Sequence, residues 1–163
     1  MTHPIFRQAV PGDADRCFEI ETQAYEGDEA ATHAKIATRI GQYPEGFLVL
    51  ELEGEIAGFI NSGCAHEVVM SDESFKELVG HDPDAANVVI MSVVLDPANQ
   101  GQGHAGELMR HFVERMRGMG KSTIHLMCKE QHIELYKHFG YVYVQPSPSE
   151  HGGMAWHEMV MVL

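Results

Sequence analysis

The stretch "ANQGQGHAGELM", residues 98–109, decides how this chain is read. It sets Gly101, Gly103 and Gly106 directly ahead of a helical pattern. Glycine disfavours a helix by roughly 1 kcal/mol relative to alanine, so three of them at a helix start need another reason. Without Cβ atoms, backbone N–H groups can close on an anion, and the following helix adds the positive end of its dipole. Phosphate is the usual guest of such a nest. Just upstream, "NVVIMSVVLD" (87–96) is a run of Val, Ile and Met without clean alternation. That pattern suits a central strand covered on both faces, and Pro97 ends it.

Two familiar phosphate motifs fail on context. Taken literally, "GQGHAG" is GxGxxG, the dinucleotide fingerprint. There the first glycine follows its strand directly, whereas "DPANQ" intervenes here, and the motif falls in the second half of the chain. "GMGKST" (118–123) imitates a P-loop, but the glycine required at position 115 is Arg115. Lys121-Ser122 also precedes a strand and does not open a helix.

Outward from the glycines, the elements alternate. "PIFRQAV" (4–10) reads as a strand, and residues 11–25 as a helix with Asp13 as N-cap. A second helix is expected over 28–43. A hairpin over 46–63 turns at Glu53-Gly54. Residues 66–86 form a long excursion with one short helix, a length that often carries function. A long helix is expected over 103–120 and a strand over 122–128. A helix over 131–140 ends at Gly140, a strand covers 141–145, residues 147–153 form a loop, and 154–163 form a closing strand. The order is β-α-α-β-β-β-α-β-α-β-β, a mixed α/β domain.

Composition excludes several classes. The net charge of −13 argues against nucleic acid as a partner, since phosphate binding calls for Lys and Arg. No apolar run reaches the ~20 residues of a membrane span. No secretory leader is evident, and Cys17, Cys64 and Cys128 are odd in number and far apart. The expectation is a cytoplasmic protein without a disulfide framework. Eleven histidines raise a metal site, yet no HExxH or Cys-His cluster has zinc spacing, so no metal is expected.

Gln100-x-x-Gly103-x-Ala105 after "VLDP" resembles the pyrophosphate loop of the GNAT superfamily of N-acetyltransferases, Gln/Arg-x-x-Gly-x-Gly/Ala. A second motif agrees: "LYKHFGY", Leu135 to Tyr141, resembles that superfamily's Leu/Phe-Tyr-x-x-x-Gly-Phe/Tyr. The resemblance implies one domain over 1–163, with a central mixed sheet of six to seven strands and about four flanking helices. It implies acetyl-CoA as co-substrate, its pyrophosphate wrapped by amides from Gln102 to Gly106. The cofactor side would comprise Val93, Val94 and Leu95 on the fourth strand and Gln100, Gly101, Gln102, Gly103, His104, Ala105 and Gly106 in the loop. His132 and Tyr136 would complete it. "LMCKE", "LYKHFGY" and "HGGMAWHEMVM" most resemble the arylalkylamine and polyamine branch and its small bacterial relatives. The His-x-His of the arylalkylamine enzymes is absent: the corresponding positions are Val89 and Met91, so that substrate does not carry over.

The expected chemistry is acetyl transfer from a thioester to a small-molecule amine. A free alkylamine has a pKa near ~10.4 and must lose a proton to attack. Tyr136 is expected to protonate the leaving thiolate. A backbone N–H near Val93 or Val94 is expected to hold the carbonyl oxygen. The base stays open among His81, Asp84, Glu67 and His66, or a water chain. Glu21 and Tyr25 could line the acceptor pocket, and Cys128 could act as a nucleophile, although a structural thiol is more usual. Two alternatives remain: a CoA-binding domain without turnover, and a protein or peptide N-acetyltransferase. A homodimer is compatible with the sequence, and no membrane partner is expected.

Overall fold

The computed structural model describes residues 3–25, 30–149 and 153–163. Along the chain lie β1 (Ile5–Gln8), α1 (Ala14–Ala24), α2 (His33–Gln42), β2 (Phe47–Leu52) and β3 (Glu55–Ala65). Then come β4 (Asn87–Leu95), α3 (His104–Gly118), β5 (Thr123–Cys128), α4 (Ile133–His138), β6 (Val142–Pro146) and β7 (His157–Val162). The expected order holds throughout. Seven strands form one sheet in the order β1-β2-β3-β4-β5-β7-β6. Among the described residues only the β4–β5 pair is parallel.

Helices cover both faces. On one, Cys17, Ile20, Ile36 and Ile40 of α1 and α2 pack on Phe47, Val49 and Phe59. On the other, Leu108, Phe112 and Met116 of α3 pack on Leu48, Ile60 and Val88. Each fully buried side chain of this size contributes about 1.5–3 kcal/mol relative to exposure. The hairpin between β2 and β3 turns at Glu53 and Gly54 with φ of 54° and 81°. Two positive φ values match the strands' right-handed twist.

The feature that makes a site is a defect in the sheet. β4 pairs with β5 only from Asn87↔Thr123 to Val89↔His125. Beyond that the two strands part, and β4 runs on to Leu95 with its β5-side edge open. The β3–β4 register slips between Asn61↔Ser92 and Ser62↔Ile90, leaving Met91 as a bulge. A bulge bends its strand and raises the local twist. It also reverses the parity of the side chains. Val88 and Ile90 face the α3 side; past Met91, Val93 and Leu95 do, while Val94 joins the α1/α2 core. The missing alternation in this strand therefore has two causes: burial on both faces and a parity switch.

Some boundaries moved. Asp13 stands ahead of α1 but does not cap it with its side chain. Its carboxylate accepts from Val10 N–H at 2.8 Å and pairs with the Arg7 guanidinium at 2.8 and 3.0 Å. α2 begins at His33, where the Thr32 hydroxyl accepts from Lys35 N–H at 3.2 Å; residues 28 and 29 of the expected helix lie outside the described residues. The short helix of the excursion is a 3-10 turn, Glu73–Glu77. The closing strand starts at His157, and residues 150–152 of the loop before it also lie outside the described residues. Among the described residues no helix is long and apolar enough to cross a membrane.

Candidate acyl-transfer site

The glycine loop forms an open amide nest. Gly101 and Gly103 hold φ of 78° and 82°, a region other residues reach only with strain. Gly103 is the N-cap of α3, and no side chain caps that end. The first intrahelical bond is Glu107 N–H to Gly103 C=O, at 3.3 Å. The amides ahead of Glu107 are thus the helix's orphan donors. Gly106 is different: its φ is ordinary, and a Cβ there would sit 3.5 Å from Phe139, a normal contact. Neither backbone nor packing demands a glycine at 106. What its smallness leaves open is the outer surface of the first turn. This turn lines a cavity of about 740 Å³ between α3 and α4 that Arg110, Arg117 and His138 also line.

Gln100 anchors the loop, its Nε2 donating to Leu95 C=O at 3.4 Å. Gln102 is exposed in the loop, and Ala105 lines the cavity. His104 lines it too, with Nδ1 3.5 Å from the Glu107 carboxylate. His132 sits in a 3-10 turn ahead of α4 and lies outside this cavity.

The open edge of β4 presents donors. Tyr25 Oη donates to Val93 C=O at 2.8 Å, and Gln100 reaches Leu95 C=O from the same side. Asp96 N–H instead donates to Ala57 C=O on β3. In extended backbone, a residue's N–H and C=O share a direction. The Val93 and Leu95 N–H groups therefore turn to the open edge, and the Val94 N–H turns to β3. Of the two amides expected to hold a carbonyl oxygen, that of Val93 faces the open edge and that of Val94 faces β3.

Tyr136 faces this edge. With Tyr25, Met91, Val93, Leu126 and Trp156 it lines a small cavity of about 60 Å³ where β4 and β5 part. Its ring packs edge-on against Phe139 and Tyr141. Its hydroxyl has no hydrogen-bond partner among the described residues. Burial pushes its pKa well above the ordinary tyrosine value, so the group holds its proton. Cys128 is buried, its Sγ 3.6 Å from Met159 Sδ, and burial pushes its pKa up to about 11. That thiol stays protonated and does not suit a nucleophile, which must be a thiolate.

The base candidates scatter. His81 lies toward the N-terminal end of β4, where its Nδ1 accepts from Cys64 N–H at 2.9 Å. Its Nε2 is buried without a partner among the described residues, its ring packs on Tyr43, and burial lowers its pKa. The structure does not bring it to the parting strands. Asp84 is also absent from them: it lies just before β4, exposed in a hollow with Glu45 and Lys121. His66 pairs with Asp82 at 2.8 Å on the surface. Glu67 does reach the region, lining a cavity of about 110 Å³ beside Met91.

Sequence reading named Glu21 only as a possible acceptor-pocket lining and missed the buried polar cluster around Arg39 behind β4. Arg39 of α2 is 2% exposed and donates to Lys76 C=O at 3.1 Å and to Asn61 Oδ1 and Ser92 Oγ at 3.4 Å. Glu21 is fully buried; it accepts from Ala31 N–H through Oε2, and its Oε1 has no partner among the described residues. The signal available was a lone Arg on the apolar face of α2, beside Ile36 and Ile40. Among the described residues no group of three or more His, Cys, Asp or Glu gathers as a metal site.

The structure thus offers orphan amides at the start of α3, an open β4 edge, and the Tyr136 phenol where the two parallel strands part. The acetyltransferase (GNAT) family model matches residues 14–141, and the chain belongs to this family. An uncharacterized N-acetyltransferase, ycf52, of Gracilaria tenuistipitata var. liui is 33% identical over 73 residues. That match covers 45% of this chain and only 38% of the relative. The loading GNATL domain of CurA from Lyngbya majuscula superposes with a TM-score of 0.87 over 98% of both chains at 16% identity. A GNAT-like decarboxylase, GphF, in complex with isobutyryl-CoA gives 0.82 over 97% of this chain and 98% of its own, at 17% identity. The putative acetyltransferase yncA from Salmonella typhimurium, with its cofactor acetyl-CoA, gives 0.70 over 98% and 94% at 21% identity. At these identities the likeness is one of fold.

Proposed function

We propose that this protein transfers an acetyl group from acetyl-CoA to the primary amine of a small molecule, by direct attack of the amine on the thioester. The observation that carries the reading is the Tyr136 hydroxyl, unpartnered among the described residues and facing the open Val93 amide where β4 leaves β5. The orphan amides at the start of α3 suit a pyrophosphate, and Arg110 and Arg117 suit the phosphate-bearing far end of CoA. Bound acetyl-CoA supplies an activated acyl carbonyl and a thiolate leaving group. The Val93 N–H donates to the carbonyl oxygen as charge builds there. As the N–C bond forms and the C–S bond breaks, Tyr136 gives its proton to the sulfur. The ammonium loses its first proton through water toward Glu67 to become the attacking amine, and the second proton, shed by the nitrogen after attack, passes through water to restore Tyr136. The high pKa of Tyr136 keeps it an acid until that moment. The "LYKHFGY" motif favours kinship with the arylalkylamine and polyamine branch, without its His-x-His relay.

The test is CoA release from acetyl-CoA against polyamines, arylalkylamines, amino acids, aminoglycosides and short peptides. Turnover with a small amine is the expected result. Turnover confined to peptides would replace the acceptor class, and acetyl-CoA binding without turnover on any amine would leave a CoA-binding domain instead.

A further inference from the structure

We infer that the acceptor is an amino-carboxylate with an apolar body, and that Lys76 is the residue that reads its carboxylate. The inference rests on the acyl-transfer reading above. Lys76 lines both the Tyr136 cavity and the neighbouring cavity on the far side of Met91. The two spaces also share Ile90 and Met127, so they adjoin along β4. A molecule in the second cavity can therefore reach the open edge of the first.

The ammonium of Lys76 has no hydrogen bond or ion pair among the described residues. That is unusual in a chain with 24 Asp and Glu against 11 Lys and Arg. The side chain is only partly exposed, and burial lowers its pKa. The charged groups that act on it are Glu73 and Glu21 on one side of the balance and Arg39 and Lys35 on the other. The position is fixed too, because the Lys76 C=O accepts from the buried Arg39 Nε at 3.1 Å. A held, desolvated, unpaired cation is a specificity element: it strengthens attraction to a carboxylate and leaves a neutral analogue with nothing to satisfy it.

One wall of the second cavity is apolar, formed by Val68, Met70, Phe75, Val89, Met91 and Met127. Three thioethers make that wall adaptable in shape. Glu67 and Asp72 also line it, but both are exposed, and Asp72 is engaged by the Ser74 amide and hydroxyl at 3.0 and 2.6 Å. Water screens these acids, whereas Lys76 is the cation withdrawn from it. An apolar side chain would fill the methionine-lined space, its carboxylate on Lys76, leaving its amine toward the Val93 edge.

The experiment compares leucine, leucinamide and isoamylamine as acceptors for the wild-type protein, Lys76→Met and Lys76→Arg, with acetyl-CoA affinity measured on each. Calorimetric binding of leucine to the CoA-loaded protein is read alongside. The expected result is a kcat/KM for leucine on the order of tenfold or more above leucinamide. Lys76→Met should lose that preference through KM at unchanged acetyl-CoA affinity, and Lys76→Arg should largely keep it. A wild-type preference for leucinamide or isoamylamine, or an unaltered leucine KM in Lys76→Met, would overturn the assignment while leaving the transferase reading in place. Leucine binding that depends on Lys76 without any transfer would keep the carboxylate site and remove the transferase. Absence of both binding and transfer would remove both.

Discussion

Replacing Gly106 by alanine should make the protein more stable and a worse binder of acetyl-CoA. Gly106 is the third residue of α3, with helical backbone and no positive φ. An added Cβ meets only Phe139, at 3.5 Å, so the folded state takes it without strain. Alanine is favoured over glycine in a helix by up to about 1 kcal/mol. For a chain of this size that raises Tm by roughly 2–4 °C. The same methyl group stands on the outer face of the first turn, where the amide nest would receive the pyrophosphate. Hydrogen bonds to a charged group are worth about 1.5–3 kcal/mol each, so forcing one apart weakens binding roughly 10- to 100-fold. Ligand stabilisation depends on the logarithm of concentration over Kd, and a 100-fold loss removes about 2.7 kcal/mol of it. The two effects thus cross: free protein melts higher than wild type, and protein with excess acetyl-CoA melts lower. Thermal melts with and without acetyl-CoA, together with calorimetry, read both. A higher Tm at an unchanged Kd would refute the claim that this glycine serves ligand approach.

Tyr136→Phe removes one hydroxyl that makes no hydrogen bond to the described residues, so stability and acetyl-CoA affinity should hold while kcat falls by about 10²–10⁴; an unaltered kcat in steady-state assays would move the acid elsewhere. Cys128→Ala should leave turnover near wild type, because burial holds the thiol protonated; an acetylated Cys128 trapped by mass spectrometry would establish a covalent route. Burial holds His81 below the usual histidine pKa, and its Nδ1 is occupied by the Cys64 N–H. The unfolded chain takes up that proton below about pH 6.5, so it binds more protons than the folded one, and stability should fall as pH drops through and below that value and stay level above it. His125 and His132 shift in the same direction for the same reason. A Tm series from pH 8 to pH 5 checks this, with His81→Asn expected to flatten part of the slope; a Tm that rises on acidification would contradict it.

The sequence by itself determined the elements and the nest. Local chemistry is enough for both: Pro97 stops a buried strand, the glycines open a helix start, and the "LYKHFGY" stretch delivers a tyrosine in the next helix. These features act over a few residues, so spacing reports them. What only the tertiary structure decided is where β4 stops pairing and what gathers there. The Met91 bulge depends on register against β3 and leaves no mark in composition beyond blurred alternation. It alone determines that Val93, and not Val94, turns its amide outward. The base candidates show the same limit: His81, Asp84, Glu67 and His66 are close in sequence, yet only Glu67 lines a cavity at the parting strands. Arg39, Asn61 and Ser92 come from α2, β3 and β4, and Lys76 from the excursion. No periodicity links residues that far apart; their meeting is a property of the packed sheet, which sets the charges against one another only once water has been removed from between them.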